Sequence, residues 1–117
     1  MSDGRSVVEA YARSVTDHDL DGLLGLFAAD ARLVNPLGTF TGTDKLTGVY
    51  RDVVMAGQAQ VSVGDVVEGV GAAGERLVMA EVTATSPLDP SAGTAFALDV
   101  FRLDGEGRIT SLEIYYR

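Results

Sequence analysis

The spacing of apolar residues changes period near Gly57, and that change restricts the chain to a small set of folds. Before it, apolar positions recur every three or four residues. In SVVEAYARSV, Val7, Val8, Tyr11 and Val15 form one face of a helix. Asp19 is placed to cap a second helix through LDGLLGLFAAD, with Leu20, Leu23, Leu24 and Phe27 as its buried stripe. A short extended piece follows in ARLVNP, because Pro36 pushes Asn35 away from helical geometry. Gly38 and Gly42 mark a turn-rich connection. Thr43 then reads as the cap of a third helix, TDKLTGVYRDVV, with Leu46, Val49, Tyr50 and Val53 inward. After Gly57 the segments QVSVGDVVEGV, ERLVMAEVTATS, TAFALDVFRLD and RITSLEIYYR are rich in Val, Thr, Ile and aromatics and read as strands. Turns at Gly71–Gly74, Pro87–Gly93 and Asp104–Gly107 separate them. Helices first and strands afterwards predict an α+β fold, an antiparallel sheet with helices on one face. A strongly curled sheet would leave a pocket between the two layers.

Composition narrows the function. A chain of 117 residues makes one domain, spanning 1–117. Nine Lys+Arg against 17 Asp+Glu give a net charge of -8, which argues against nucleic acid and anionic membrane surfaces as partners. There is no cysteine, so thiolate chemistry and disulfides are excluded. The single histidine, His18, falls in a DHD loop, which disfavours a His-rich metal site and a Ser-His-Asp triad. No metal is expected. The opening MSDGRS lacks the apolar core of an export signal, and no apolar run reaches the roughly 18 residues of a membrane span. The expected address is the cytoplasm.

Asp99 is the most informative position. It lies in the middle of AFALDVFRL, on the face that carries Ala95, Ala97, Phe101 and Leu103. Desolvation on an apolar face disfavours the charged form and raises the carboxyl pKa. A neutral carboxylic acid can donate a hydrogen bond, which a carboxylate cannot. The alternatives are an Asp99 paired with arginine, or one facing water at a strand edge. Tyr11 sits on the inward face of the first helix and Tyr50 on that of the third; each is either a core residue or a hydroxyl donor. Asn35 precedes proline, as turn starters do, and an amide has no basicity for proton abstraction. Tyr116 shares a strand face with Leu112 and Ile114, and these three could line a pocket.

The order of elements, with LFAADARLVNPLG and FRLDGEGRITSLEIYY as its two best-defined motifs, resembles the NTF2-like (SnoaL-like) superfamily from about Arg5 onward. Within it the chain most resembles bacterial ketosteroid isomerase, the steroid delta-isomerase. VEAYARSV carries Tyr11 where that family has a first-helix tyrosine. ALDVFRLDGEGRI carries Asp99 where it has a mid-strand aspartic acid, and GVYRDV carries Tyr50 where a supporting tyrosine stands. The catalytic base of the family is an Asp before Pro; here FAADARLVNP places Asn35 there. The resemblance implies a cone-shaped roll, a curved antiparallel sheet wrapped around three N-terminal helices with an apolar pocket. It implies Tyr11, Asp99 and position 35 as the catalytic set, Tyr50 in support, and Val15, Val82, Ala97, Leu112, Ile114 and Tyr116 as pocket wall.

The same resemblance implies isomerisation of a 3-oxo steroid through a dienolate held by Tyr11 and a protonated Asp99. In that family a phenol and a neutral carboxylic acid share one oxyanion. No cofactor is implied. The partners implied are a steroid or steroid-like phenol and a second copy of the chain. Val61, Val63, Phe96 and Leu98 are expected on the sheet's outer face at that homodimer contact. Asn35 leaves the enzyme short of a base. Either an amide stands in for the protonated base, or this is a relative with another task. The alternatives are another enzyme of the superfamily (cyclase, dehydratase or epoxide hydrolase), or a non-catalytic binder of an apolar ring compound. A pure protein-interaction module ranks third, because Asp99 in an apolar face would then be a cost without a return.

Overall fold

The first apolar stripe forms the helix it predicts. In the computed structural model, which describes residues 3–117, α1 (Gly4–Thr16) buries Val7, Val8, Tyr11, Ala12 and Val15. Asp3 caps it, its carboxylate accepting from the Ser6 N–H at 2.7 Å. Met1 and Ser2, which begin the stretch read for an export signal, lie outside the described residues.

The second helix is shorter than its stripe predicts. α2 spans Leu20–Leu24, opened by the Asp19 carboxylate on the Gly22 N–H at 2.9 Å. Phe27 to Asp30 belong instead to β1 (Phe27–Asn35). Gly22 and Gly25 weaken a longer helix. The Leu26 carbonyl is also taken by the Ile109 N–H at 2.8 Å, so pairing with the last strand wins. The glycine-marked connection holds a short strand, β2 (Gly38–Thr41), which folds back antiparallel on β1. α3 (Thr43–Val49) is capped by the backbone of Gly42, at φ 91, so Thr43 is its first helical residue and not its cap. It runs on into a π-helical turn, Tyr50–Met55.

The remaining strands fall where alternation places them: β3 (Gln60–Val70), β4 (Arg76–Thr85), β5 (Ala95–Leu103) and β6 (Ile109–Tyr116). They form one curved sheet of order β2-β1-β6-β5-β4-β3, packed against the helices in an α+β arrangement. It is not wholly antiparallel as expected, because β1 and β6 run parallel. A parallel neighbour needs a long crossover, and everything between Asn35 and Ile109 serves as one. Register shifts interrupt the β1–β6 pairing between Phe27 and Arg32 and the β3–β4 pairing between Val63 and Val66. Such bulges bend strands and help the sheet curl round the helices.

On the outer face Arg102 reaches Glu75 at 3.1 Å and Arg32 reaches Glu113 at 3.6 Å. Phe96 and Leu98 are exposed there, as expected. Val61 and Val63 are not. They pair with Ala84 and Val82, so they share the inner face of those residues and pack against the core. Among the described residues no helix is long and apolar enough to cross a membrane.

Phe101 is fully buried on β5 and meets the Tyr11 ring edge-on, with centroids 5.4 Å apart. Phe101→Ala is expected to destabilise the fold by about 3–5 kcal/mol, read as a shift in the urea midpoint at unchanged m-value.

Candidate functional site

Three neighbouring strands set their inward residues in register. The pairing of β1 with β6 joins Leu33 to Leu112 and Val34 to Glu113, and one further step sets Asn35 beside Ile114. β5 pairs Asp99 with the same Ile114. Asn35 and Asp99 therefore flank Ile114 in one row, two strand spacings or about 10 Å apart. Tyr11 and Val15 from α1, and Tyr50, Val53 and Val54 from the end of α3, cover that row. A cavity of about 310 Å³ lies between the layers. It exists because Gly57, Ala59, Ala84, Ala95 and Ala97 on its wall are too small to fill it.

Tyr11, Val15, Asn35, Tyr50, Val82, Ala97, Asp99, Ile114 and Tyr116 all line this cavity. Leu112, expected among them, does not. It is fully buried in the core, paired in register with Leu33 on one side and Phe101 on the other. Leu33, Val61 and Ala84 line the cavity without having been singled out for it. Alternation carries the signal for Leu33 through Asn35 and for Ala84 through Val82. Ser86 and Gly57, joined by a hydrogen bond from the Ser86 hydroxyl to the Gly57 carbonyl, come from loops that no periodicity describes. His18 is held at φ 57 in its loop and is no part of the wall.

The polar groups are few and strained electrostatically. The Tyr11 and Tyr50 hydroxyls lie 2.8 Å apart, and either can be the donor. When Tyr50 donates, the Tyr11 proton is left for a ligand. The Tyr11 ring is fixed by edge contacts to Phe27, Tyr50 and Phe101 at 6.3, 6.1 and 5.4 Å. Burial pushes both phenols up, and the nearby Asp99 adds to the rise. Asp99 is 2% exposed, and no group among the described residues hydrogen-bonds its Oδ1. Burial alone pushes its carboxyl up to about 7. Tyr116, half-exposed at the cavity wall, is pushed up by partial burial and then by Asp99. Asn35 accepts from the Leu37 N–H through Oδ1 at 2.9 Å, an Asx turn ahead of β2. Among the described residues no group of three or more His, Cys, Asp or Glu could hold a metal ion. The Tyr11–Tyr50 pair and a protonated Asp99 are hydrogen-bond donors on the wall of one largely apolar cavity.

A model of the SnoaL-like domain matches residues 8–112. No curated protein matches the chain. Among solved structures, the Anabaena (Nostoc) orange carotenoid protein binding canthaxanthin superposes with a TM-score of 0.85 at 22% identity, over 94% of this chain and 35% of that one. The chain thus spans about a third of the length of the orange carotenoid proteins it matches. SalBIII, an epoxide hydrolase/cyclase-like enzyme of pyran ring formation in salinomycin, gives a TM-score of 0.73 at 24% identity, over 97% and 90% of the two chains. A Kribbella flavida protein provisionally described as a ketosteroid isomerase gives 0.76 at 13% identity, over 97% and 77%.

The carboxyl of Asp99 rises from 3.8 to about 7 on folding. Between those values the folded chain holds a proton that the unfolded chain has lost, so stability falls as pH rises through that window. The contribution is fully present below the unfolded value and gone above about 7, a swing of up to about 4 kcal/mol. Urea titrations at pH 4 and pH 7.5 are expected to show this swing as a difference between the wild type and Asp99→Asn, whose amide does not titrate.

Proposed function

The chain belongs to the SnoaL-like domain family, and from that footing we propose that its cavity holds a planar, apolar ring ketone and stabilises the enolate formed from it. The observation that carries this reading is Asp99, a carboxyl whose neutral form is favoured by burial and whose Oδ1 is left unpaired on the wall of an apolar cavity. A neutral acid so placed is costly to the fold and can gain a partner from a ligand in the cavity. The Tyr11–Tyr50 pair offers a second donor at the same cavity.

The reaction that best fits is that of a steroid delta-isomerase. A 3-oxo steroid with a β,γ double bond sets its ketone oxygen between Tyr11 and Asp99. A base takes the proton from the carbon between ketone and alkene, and the electron pair moves onto the oxygen as a dienolate. The two donors hold that charge. The proton returns two carbons along, the electrons flow back, and the conjugated enone leaves. Donors placed for developing charge are typically worth about 2.7–4 kcal/mol each.

Position 35 stands in the row of Asp99, two strands away across Ile114, and in the proposed reaction a base there would face the ring carbons. Its amide cannot take a proton, and a missing general base costs about 10²–10⁴-fold. The chain as it stands is then a slow isomerase and a good binder of the enolate. A non-catalytic binder of an apolar ring compound is the second reading, favoured by the tie of the Asn35 Oδ1 to Leu37. A second copy of the chain would sit on the outer face at the exposed Phe96, Leu98 and Tyr115.

Asn35→Asp is expected to raise turnover of a 5-androstene-type ketone by at least about 100-fold, and Tyr11→Phe or Asp99→Leu in that background to remove about 2.7–4 kcal/mol of transition-state stabilisation. Unchanged turnover in Asn35→Asp would remove the isomerase, and calorimetry with a steroidal phenol then decides for or against the binder. Phenol affinity is expected to weaken above about pH 7, as Asp99 ionises and stops donating.

A further inference from the structure

We propose that Asn35 donates a hydrogen bond to the ligand, and so selects ring compounds bearing a second acceptor oxygen. This inference rests on the reading that one ligand oxygen sits against Tyr11 and Asp99. The Asn35 Oδ1 is committed to the Leu37 N–H at 2.9 Å. The rest of that amide, its NH₂, has no partner among the described contacts, while the residue lines the cavity. A donor at an apolar wall favours a ligand that offers an acceptor, because an NH₂ covered by hydrocarbon loses its water without replacement.

Register puts Asn35 and Asp99 on separate strands of that wall, their backbones on the order of 10 Å apart across two strand spacings. One ligand oxygen held at Asp99 therefore leaves the Asn35 amide for another. Among the other polar groups on the wall, Ser86 is already engaged. The Ser86 hydroxyl already donates to the Gly57 carbonyl and accepts from the Leu88 N–H. The preferred ligand class is therefore a fused-ring enol, phenol or ketone with a second carbonyl or ether oxygen.

The test uses three probes in calorimetric titration of the intact chain: 2-naphthol, 4-methoxy-2-naphthol and 4-ethyl-2-naphthol. The last two match in size and differ in one acceptor oxygen. The wild type is expected to prefer the methoxy compound over the ethyl compound by about three- to tenfold, the worth of one neutral hydrogen bond. Asn35→Leu is expected to abolish that preference. Asn35→Asp keeps an acceptor for the Leu37 N–H and removes the donor, so it is expected to lose the preference without disturbing the turn. Equal wild-type affinity for the methoxy and ethyl probes overturns the inference. So does a methoxy preference that survives both substitutions. In either case the underlying reading stands if Tyr11→Phe weakens 2-naphthol. Failure of all three naphthols to bind overturns that reading and the inference together.

Discussion

Burial of one carboxyl without a cationic partner is the constraint around which the site is organised. Asp99 shares its strand face with Ala97, Phe101 and Leu103, so its side chain must point into the space between sheet and helices. The nearest arginine in sequence, Arg102, is three residues on, and alternation turns it to the opposite face. There it is spent on Glu75 and Glu113. The same parity that buries the acid removes the cation that would have ionised it. Of the two states open to such a group, the neutral one is cheaper in an apolar surround. A protonated carboxyl is a donor looking for an acceptor, and the cavity is where an acceptor can arrive.

The helices supply the second donor and hold it still. Tyr11 is wedged between Phe27, Tyr50 and Phe101, three rings from three different elements. Its hydroxyl cannot swing away without unpacking one of them. Tyr50 opens the π-helical turn at the end of α3. A π turn widens the helix locally and often marks a functional position. Here Tyr50 is fully buried beneath the turn, and Val53 and Val54, from the same turn, form cavity wall. Packing of the aromatic cluster and placement of the hydroxyl are thus one structural fact, and stability and site cannot be separated at Tyr11.

Much of this could be read from residue order alone, for identifiable reasons. Turns rich in glycine bound strands β3 to β6, so their limits, and the inward faces of Asp99, Ile114 and Tyr116, follow from composition and a period of two. The stripe of α1 is unbroken and leads directly to Tyr11. What failed was decided by partners distant in sequence. Phe27 to Asp30 continue a helical stripe locally, yet Ile109 claims the backbone just before them. Local preference could not foresee the parallel pairing of β1 with β6. Val61 could be placed on a strand but not on a face, because the face depends on its register with Ala84. Leu112 shares the parity of Ile114 and Tyr116, and parity says which face a residue takes, not how far along the strand the cavity reaches. The superfamily resemblance anticipated the roll and the pairing of cavity with helices; the substrate lies beyond what a shared fold can specify.

The electrostatics also limit what can occupy the cavity. The chain carries a net charge of -8, and among the described residues no arginine or lysine lines the cavity wall. A ligand that arrives already ionised, such as a carboxylate, would have to shed its water with no counter-charge to receive it. A neutral ketone or phenol pays no such penalty on entry. Its oxygen becomes basic only when an adjacent proton leaves or is shared, and at that moment Asp99 and Tyr11 are within the same low-dielectric space. Donors fixed in advance then act without reorganising. In the proposed function, an apolar wall, a neutral acid and a packed phenol would discriminate by when charge appears, admitting molecules that become anionic inside and rejecting those that are anionic outside.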